Sequence, residues 1–114
     1  YGLEAGAAMV ARDVLHPARP GFWRWDWINH ERAEWVPLDP AEDLVVEGVG
    51  AVTESSIRAA RARGTVNTIR VTADLKMRKT RALRRDPGYA PWWGMWAAQE
   101  ARLPTLPVDV TVRR

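Results

Sequence analysis

The sequence predicts an α/β fold built on a short parallel sheet, and three stretches carry the prediction. The first is Asp43-Leu44-Val45-Val46-Glu47-Gly48-Val49-Gly50-Ala51. Three consecutive aliphatic residues are too few for a helix; bounded by Pro40 and Gly48, they read as a short strand buried on both faces. The second and third are the β-branched runs Val66 to Val71 and Val108 to Val112. Helical patterns separate these runs, and strands separated by helices imply right-handed crossovers and a parallel sheet.

Taken in order, Gly2 to Leu15 reads as an amphipathic helix. Leu3, Ala7, Val10, Ala11 and Val14 share a face, with Arg12 and Asp13 outside it. His16, Pro17, Pro20 and Gly21 end the helix in a loop. Phe22 to Ile28 alternates with period two, placing Trp23, Trp25 and Trp27 on one face and Arg24 and Asp26 on the other. Asn29 to Ala33 is a polar turn, and Glu34 to Leu38 returns, so residues 22–38 form a β-hairpin with Pro37 marking an edge. Thr53 to Ser56 offers N-caps for a helix that runs to Arg63 and stops at Gly64. Thr72 or Asp74 starts a strongly basic helix through Arg85, ended by Asp86-Pro87-Gly88. Pro91 suits the first turn of a further helix to Leu103, in which Trp92, Trp96 and Leu103 fall on one side.

At 114 residues the chain is one domain at most, with a modest core. With no cysteine it has no disulfide or thiolate metal site, and its two histidines argue against zinc. No apolar run approaches membrane-spanning length and nothing resembles a signal peptide, so no membrane partner is expected and the cytoplasm is the default location. The chain begins at Tyr1 rather than methionine, as a fragment or a trimmed product would. Charge is uneven: residues 1–56 carry net −6, residues 57–86 net +8 and residues 87–114 net +1. So basic a block favours phosphates of some kind. Fifteen of the 17 bases are arginine, as a GC-rich genome produces, and this weakens the charge as a sign of nucleic-acid binding.

Two constellations carry chemistry. A carboxylate at the C-terminal end of a buried strand, followed by glycines, sits where open α/β sheets bind ligands, so Glu47 is a candidate to face a magnesium–phosphate site. The plainer alternative is a core strand that ends in Glu-Gly. On the basic helix, Arg78, Arg81 and Arg85 fall at i, i+3 and i+7 and share a face with Lys79 and Arg84 nearby. The alternative there is a solvated basic face, and a second is binding of an RNA or DNA backbone through residues 57–86, although no recognised reader motif is present.

Trp25-Asp26-Trp27-Ile28-Asn29-His30-Glu31-Arg32, followed by Pro37, Pro40 and Leu44 to Gly48, resembles the uridine kinase branch of the P-loop kinases. That family has a hairpin bearing Tyr-Asp-Phe-x-x-His-x-Arg and then a strand ending in Glu-Gly. Trp25 and Trp27 stand for the two aromatics, and Asp26, His30 and Arg32 keep the spacing. The chain is still more similar to actinobacterial uridine-kinase-like proteins, through Asp26 to Trp27, Val45 to Ala51, Arg81 to Asp86 and Trp93 to Glu100. The resemblance implies a substrate-side hairpin at 22–38, where Trp25 and His30 contact the nucleoside with Asp26 and Arg32 in support. It also implies a lid at 74–103, where Arg78, Arg81 and Arg85 clamp ATP phosphates, and Arg81 and Arg85 neutralise charge on the transferred group. Glu47 would bind Mg2+ through water. The implied function is ATP-dependent phosphorylation of a nucleoside or a similar small hydroxyl compound. Tryptophan in place of tyrosine removes a hydroxyl, which puts uridine itself in question. Read from the residues alone, the plainer account is a tryptophan-rich hairpin capping the sheet, with His30 exposed in a turn.

One part of that family is missing. No Gly-x-x-x-x-Gly-Lys-[Ser/Thr] loop occurs, nor the next segment with the acid that deprotonates the acceptor hydroxyl. The match begins after them, at Tyr1-Gly2-Leu3-Glu4. In the family the strand entering that loop lies between those matching 44–47 and 66–71. The expectation is therefore a partial P-loop-kinase-like domain over 1–114, its central N-terminal strands absent. The slot would be filled by an upstream segment or a partner chain, or closed by direct pairing. The chain alone is expected to be inactive, and the alternative is a non-enzymatic binding or regulatory remnant.

Overall fold

The computed structural model describes residues 2–114, so Tyr1, where the resemblance begins, lies outside the described residues. Among the described residues the fold is α/β, with four α-helices, one antiparallel hairpin and one parallel strand pair. It divides into two compact units, residues 3–66 and residues 67–114. Among the described residues no helix is long and apolar enough to cross a membrane.

The first unit opens with α1 (Leu3–Met9), which continues as a π-helical turn, Val10–Val14. The turn is widened by one residue, with the Leu15 amide donating to the Val10 carbonyl at 2.9 Å. Ala7, Leu15 and Pro20 are buried in this unit. The next two strands, β1 (Gly21–Asp26) and β2 (Glu31–Pro37), pair antiparallel as the period-two pattern predicts. Trp23 faces Trp35 and Trp25 faces Arg32, with a register shift between Trp23 and Trp25. That bulge interrupts the alternation, and Trp27 lies in the turn beyond β1, so the expected single face of Trp23, Trp25 and Trp27 is not formed.

Helix α2 (Glu54–Arg63) begins and ends where its caps predict. Thr53 Oγ1 accepts from the Ser56 amide at 3.1 Å, and Ser56 Oγ accepts from the Thr53 amide at 2.9 Å, a reciprocal capping box. Buried Ser56 also donates to the Ala51 carbonyl at 2.7 Å, which fixes the chain entering the helix.

The largest correction falls between β2 and α2. Leu44 to Glu47 is not a strand, and far from being buried on both faces Val45 is 89% exposed. A strand exists through pairing with a neighbour, and three aliphatic residues bring none with them. Local bonds govern the segment instead. Asp39 Oδ1 accepts from the Ala41 amide at 2.9 Å, and Arg63 Nη2 donates to the carbonyls of Asp39 and Glu42 at 3.2 and 2.9 Å. Gly48 and Gly50 then take positive φ of 137° and 81°, closing a turn with the Ala51 amide on the Gly48 carbonyl.

In the second unit β3 (Ile69–Thr72) and β4 (Val110–Arg113) form a parallel pair, joined through α3 (Leu75–Arg85) and α4 (Trp93–Arg102). The parallel connection through helices agrees with the sequence expectation. The partner of β3 is β4, and among the described residues β3 does not pair with 44–47. Asp109 anchors the pair: its Oδ2 accepts from the Thr68 amide at 2.7 Å and from Thr68 Oγ1 at 3.0 Å. Asp74 caps α3 through Oδ1, which accepts from the Lys76 and Met77 amides. Pro91 does not open α4. It lies inside a 3-10 turn, Pro87–Trp92, started by the Asp86 carboxylate on the Gly88 amide at 3.1 Å, and α4 begins after it.

Candidate functional site

The hairpin tip is set by Asp26. Its Oδ1 accepts from the Ile28 and Asn29 amides at 2.8 and 3.1 Å, and its Oδ2 from Asn29 Nδ2 at 2.8 Å. Side-chain bonds of this kind to amides two and three residues on are what shape Asx turns. The bonds from Asn29, backbone then side chain, and from the Ile28 amide hold the Asp26 carboxyl below the usual range. His30 closes the turn at φ 55°, a left-handed conformation uncommon outside glycine and asparagine. The sequence-predicted substrate residues thus separate by role. Trp25 and Arg32 meet as a cross-strand pair, half-buried and exposed respectively. Asp26 is engaged in the turn, and His30 is exposed on it.

Glu47 is exposed in the irregular segment after β2, and its carboxylate forms no hydrogen bond or ion pair among the described residues. Among these residues no three metal-ligating side chains converge. Magnesium is usually bound by one or two carboxylates with substrate phosphates and water. Here the strand that would aim Glu47 at phosphates is not formed and no phosphate-binding loop is encoded, so these residues do not compose a magnesium site.

On α3 the arginines divide. Arg78 donates to Glu100 of α4, an ion pair about one-third exposed on each side. Arg81, Arg84, Arg85, Lys76 and Lys79 are exposed and form no ion pair among the described residues. Arg85 lies close enough to Tyr89 to oppose the rise that burial imposes on that phenol. Tyr89 in turn meets Trp93 edge-on, centroids 6.2 Å apart, at the base of α4.

A feature the sequence reading missed lies in the first unit. A cleft of about 330 Å3 opens between the π turn and the hairpin, lined by Arg12, Asp13, His16, Arg19, Trp23 and Trp35. Arg12 is bidentate on Asp13, Nε to Oδ1 and Nη2 to Oδ2, both 2.9 Å. That bonding, above all, lowers the Asp13 carboxyl, with Arg32 adding positive potential. His16 Nδ1 accepts from the Ala18 and Arg19 amides at 3.1 and 3.0 Å, so the ring carries its donor proton on Nε2. Trp23 and Trp35 meet edge to face, centroids 5.4 Å apart at 67°. The available sequence signal was Arg12 and His16 four apart at a helix end, directly before a proline.

No protein-family model, curated protein or solved structure matches the chain.

Proposed function

We propose that this chain supplies the substrate-side hairpin and lid-side helices of an ATP-dependent phosphotransferase of the nucleoside-kinase kind, a partial P-loop-kinase-like domain. By itself it binds nucleotide phosphates without transferring them. One observation carries the reading: Arg81 and Arg85 stand one turn apart on α3, exposed, with no carboxylate partner among the described residues. Two guanidinium forks so spaced suit the oxygens of a polyphosphate. On the other unit, and independently of α3, the Trp25–Arg32 pair offers an aromatic face and a guanidinium of the kind that would contact a nucleoside acceptor. Magnesium, with its Lewis acidity, would accompany the nucleotide, and the phosphate cradle would come from an upstream segment or partner chain.

The test is thermal denaturation of the full chain with and without ATP and magnesium. A ligand that binds only the folded state raises the melting temperature with its concentration. The expected result is a nucleotide-dependent rise, lost in Arg81→Ala/Arg85→Ala, with no phosphorylated product from uridine. No rise at millimolar ATP would sink the binding claim, and product formed by the purified chain would sink the claim of inactivity. A second reading, nucleic-acid backbone binding, has its own support in Lys76, Lys79 and Arg84, exposed on the same helix. RNA or DNA binding with a steep salt slope and no response to ATP would select it.

A further inference from the structure

We infer that the cleft between the π turn and the hairpin is a binding site for a small aromatic anion, a flat ring bearing one carboxylate or an equivalent group. This inference does not depend on the nucleotide reading, since α3 belongs to the other unit.

The aromatic half of the recognition comes from Trp23 and Trp35. Their edge-to-face contact fixes the two indoles in different planes, and Trp23 remains 41% exposed beside the cleft. A flat ring covering that indole buries apolar area and gains a directed aromatic contact. The Trp35 indole lies over Gly21, whose lack of a side chain makes room for it.

The half that recognises the anion comes from the other lining residues, Arg12, Asp13, His16 and Arg19. Arg12 and Asp13 neutralise one another and hold the Arg12 guanidinium plane in place. Arg19 adds a positive charge with no carboxylate partner among the described residues. His16 is oriented by two backbone amides at Nδ1, which leaves Nε2–H as a donor with no partner among the described residues. The net charge of these lining residues is therefore positive, and the cleft offers a carboxylate one unpaired cation and one imidazole N–H donor. The carboxylate of Asp13 is occupied twice over by Arg12, which limits its repulsion of a bound anion. At about 330 Å3 the cleft lies at the low end of small-molecule sites, fitting one or two fused rings rather than a chain. It is also built on a π turn, a local widening that recurs at functional positions.

The test is an NMR titration of the 15N-labelled full chain with 2-naphthoate, with 2-naphthamide as the uncharged isostere and acetate as the anion without a ring. Naphthoate should shift the indole N–H resonances of Trp23 and Trp35 saturably. Naphthamide and acetate should each bind at least about ten-fold more weakly. Arg19→Gln, a surface change, should reduce naphthoate affinity by at least about ten-fold and leave naphthamide unchanged. Trp23→Leu should weaken both aromatic probes, while Arg81→Ala/Arg85→Ala should change nothing, which separates this site from the phosphate reading. Equal affinity for naphthoate and naphthamide, shifts confined to Trp92, Trp93 and Trp96, or no saturable shift would each overturn the proposal.

Discussion

Trp35 lies directly over Gly21: a Cβ on that glycine would run into Cζ2 of the indole and sit 2.7 Å from the Val36 carbonyl oxygen. Real Cβ contacts do not come so close, and neither the ring nor the backbone can yield without opening the hairpin. Gly21→Ala should therefore destabilise the first unit by about 1–3 kcal/mol, the usual scale of overpacking. Denaturant unfolding followed by tryptophan fluorescence reads this. Pairing it with Trp35→Leu should recover part of the loss, because the smaller side chain vacates the space. Equal effects of the single and double variants would show that the ring is not what excludes the methyl group.

The carboxyl of Asp26 makes the hairpin tip sensitive to acid. Its folded pKa lies below the unfolded value because the Asn29 and Ile28 donors favour the charged form. The stabilisation is thus fully present above the unfolded value, about 3.9, and is lost as pH falls through the lower folded value. Amide resonances of Ile28 and Asn29 should titrate together in that acid window. Asp26→Asn, which keeps an acceptor and removes the charge, should abolish this step while leaving the turn formed. Titration of both amides that persists unchanged in the variant would assign the step to another carboxyl, such as Asp13 or Glu34, both also lowered.

The capping box of α2 offers a local stability test. Thr53→Ala removes the acceptor for the Ser56 amide and should destabilise the unit by about 1 kcal/mol. Ser56→Ala should cost about 1–3 kcal/mol, since the buried hydroxyl also satisfies the Ala51 carbonyl and the Thr53 amide. The order matters more than the size. If Thr53→Ala proved the more damaging change, the bond to Ala51 would not be what ties the entering chain to the helix.

These three cases also show what was legible in advance. Thr53 and Asp74 accept from amides two or three residues on, so the starts of α2 and α3 could be read locally, that of α3 to within Thr72 or Asp74. The hairpin was equally legible, but Arg32 was read into its turn, so its place opposite Trp25 was not. The Leu44 to Glu47 run was misread because a strand is a relation between segments, and its aliphatic pattern carries no information about a partner. Arg63, which draws the preceding loop to itself through two carbonyls, had no signature at all. The Arg12–Trp35 cleft was hidden for the same reason: its walls lie far apart in sequence, and a one-residue bulge and a π turn decide what faces what.

Arg78 and Glu100 connect α3 to α4, and their partial exposure limits what the pair contributes. A double-mutant cycle with Arg78→Met and Glu100→Gln should give a coupling of at most about 1 kcal/mol, falling as salt is raised. Glu100→Gln alone has a second expected effect. It frees Arg78 on the face shared with Arg81 and Arg85, so affinity for ATP should rise modestly while stability falls slightly. A fall in ATP affinity would mean that the ion pair positions the helix for phosphate binding instead of withdrawing an arginine from it.

The last prediction concerns the sheet face of the second unit. The register sets Ile69 opposite Val110 and Val71 opposite Val112, so four β-branched side chains share one face. All four are between 38 and 67% exposed, whereas parallel sheets are ordinarily covered on both faces. If that face is open in the isolated chain, Val71→Thr should change stability by no more than about 0.5 kcal/mol, the range of ordinary surface substitutions. A buried aliphatic at the same position would lose more, because the hydroxyl would enter an apolar contact. Denaturation at several chain concentrations separates the two outcomes. A small, concentration-independent change fits an open face. A loss well above that range, or one that grows with chain concentration, would mean that the face is covered in solution and that the exposure of Val71 does not describe the working state of the protein.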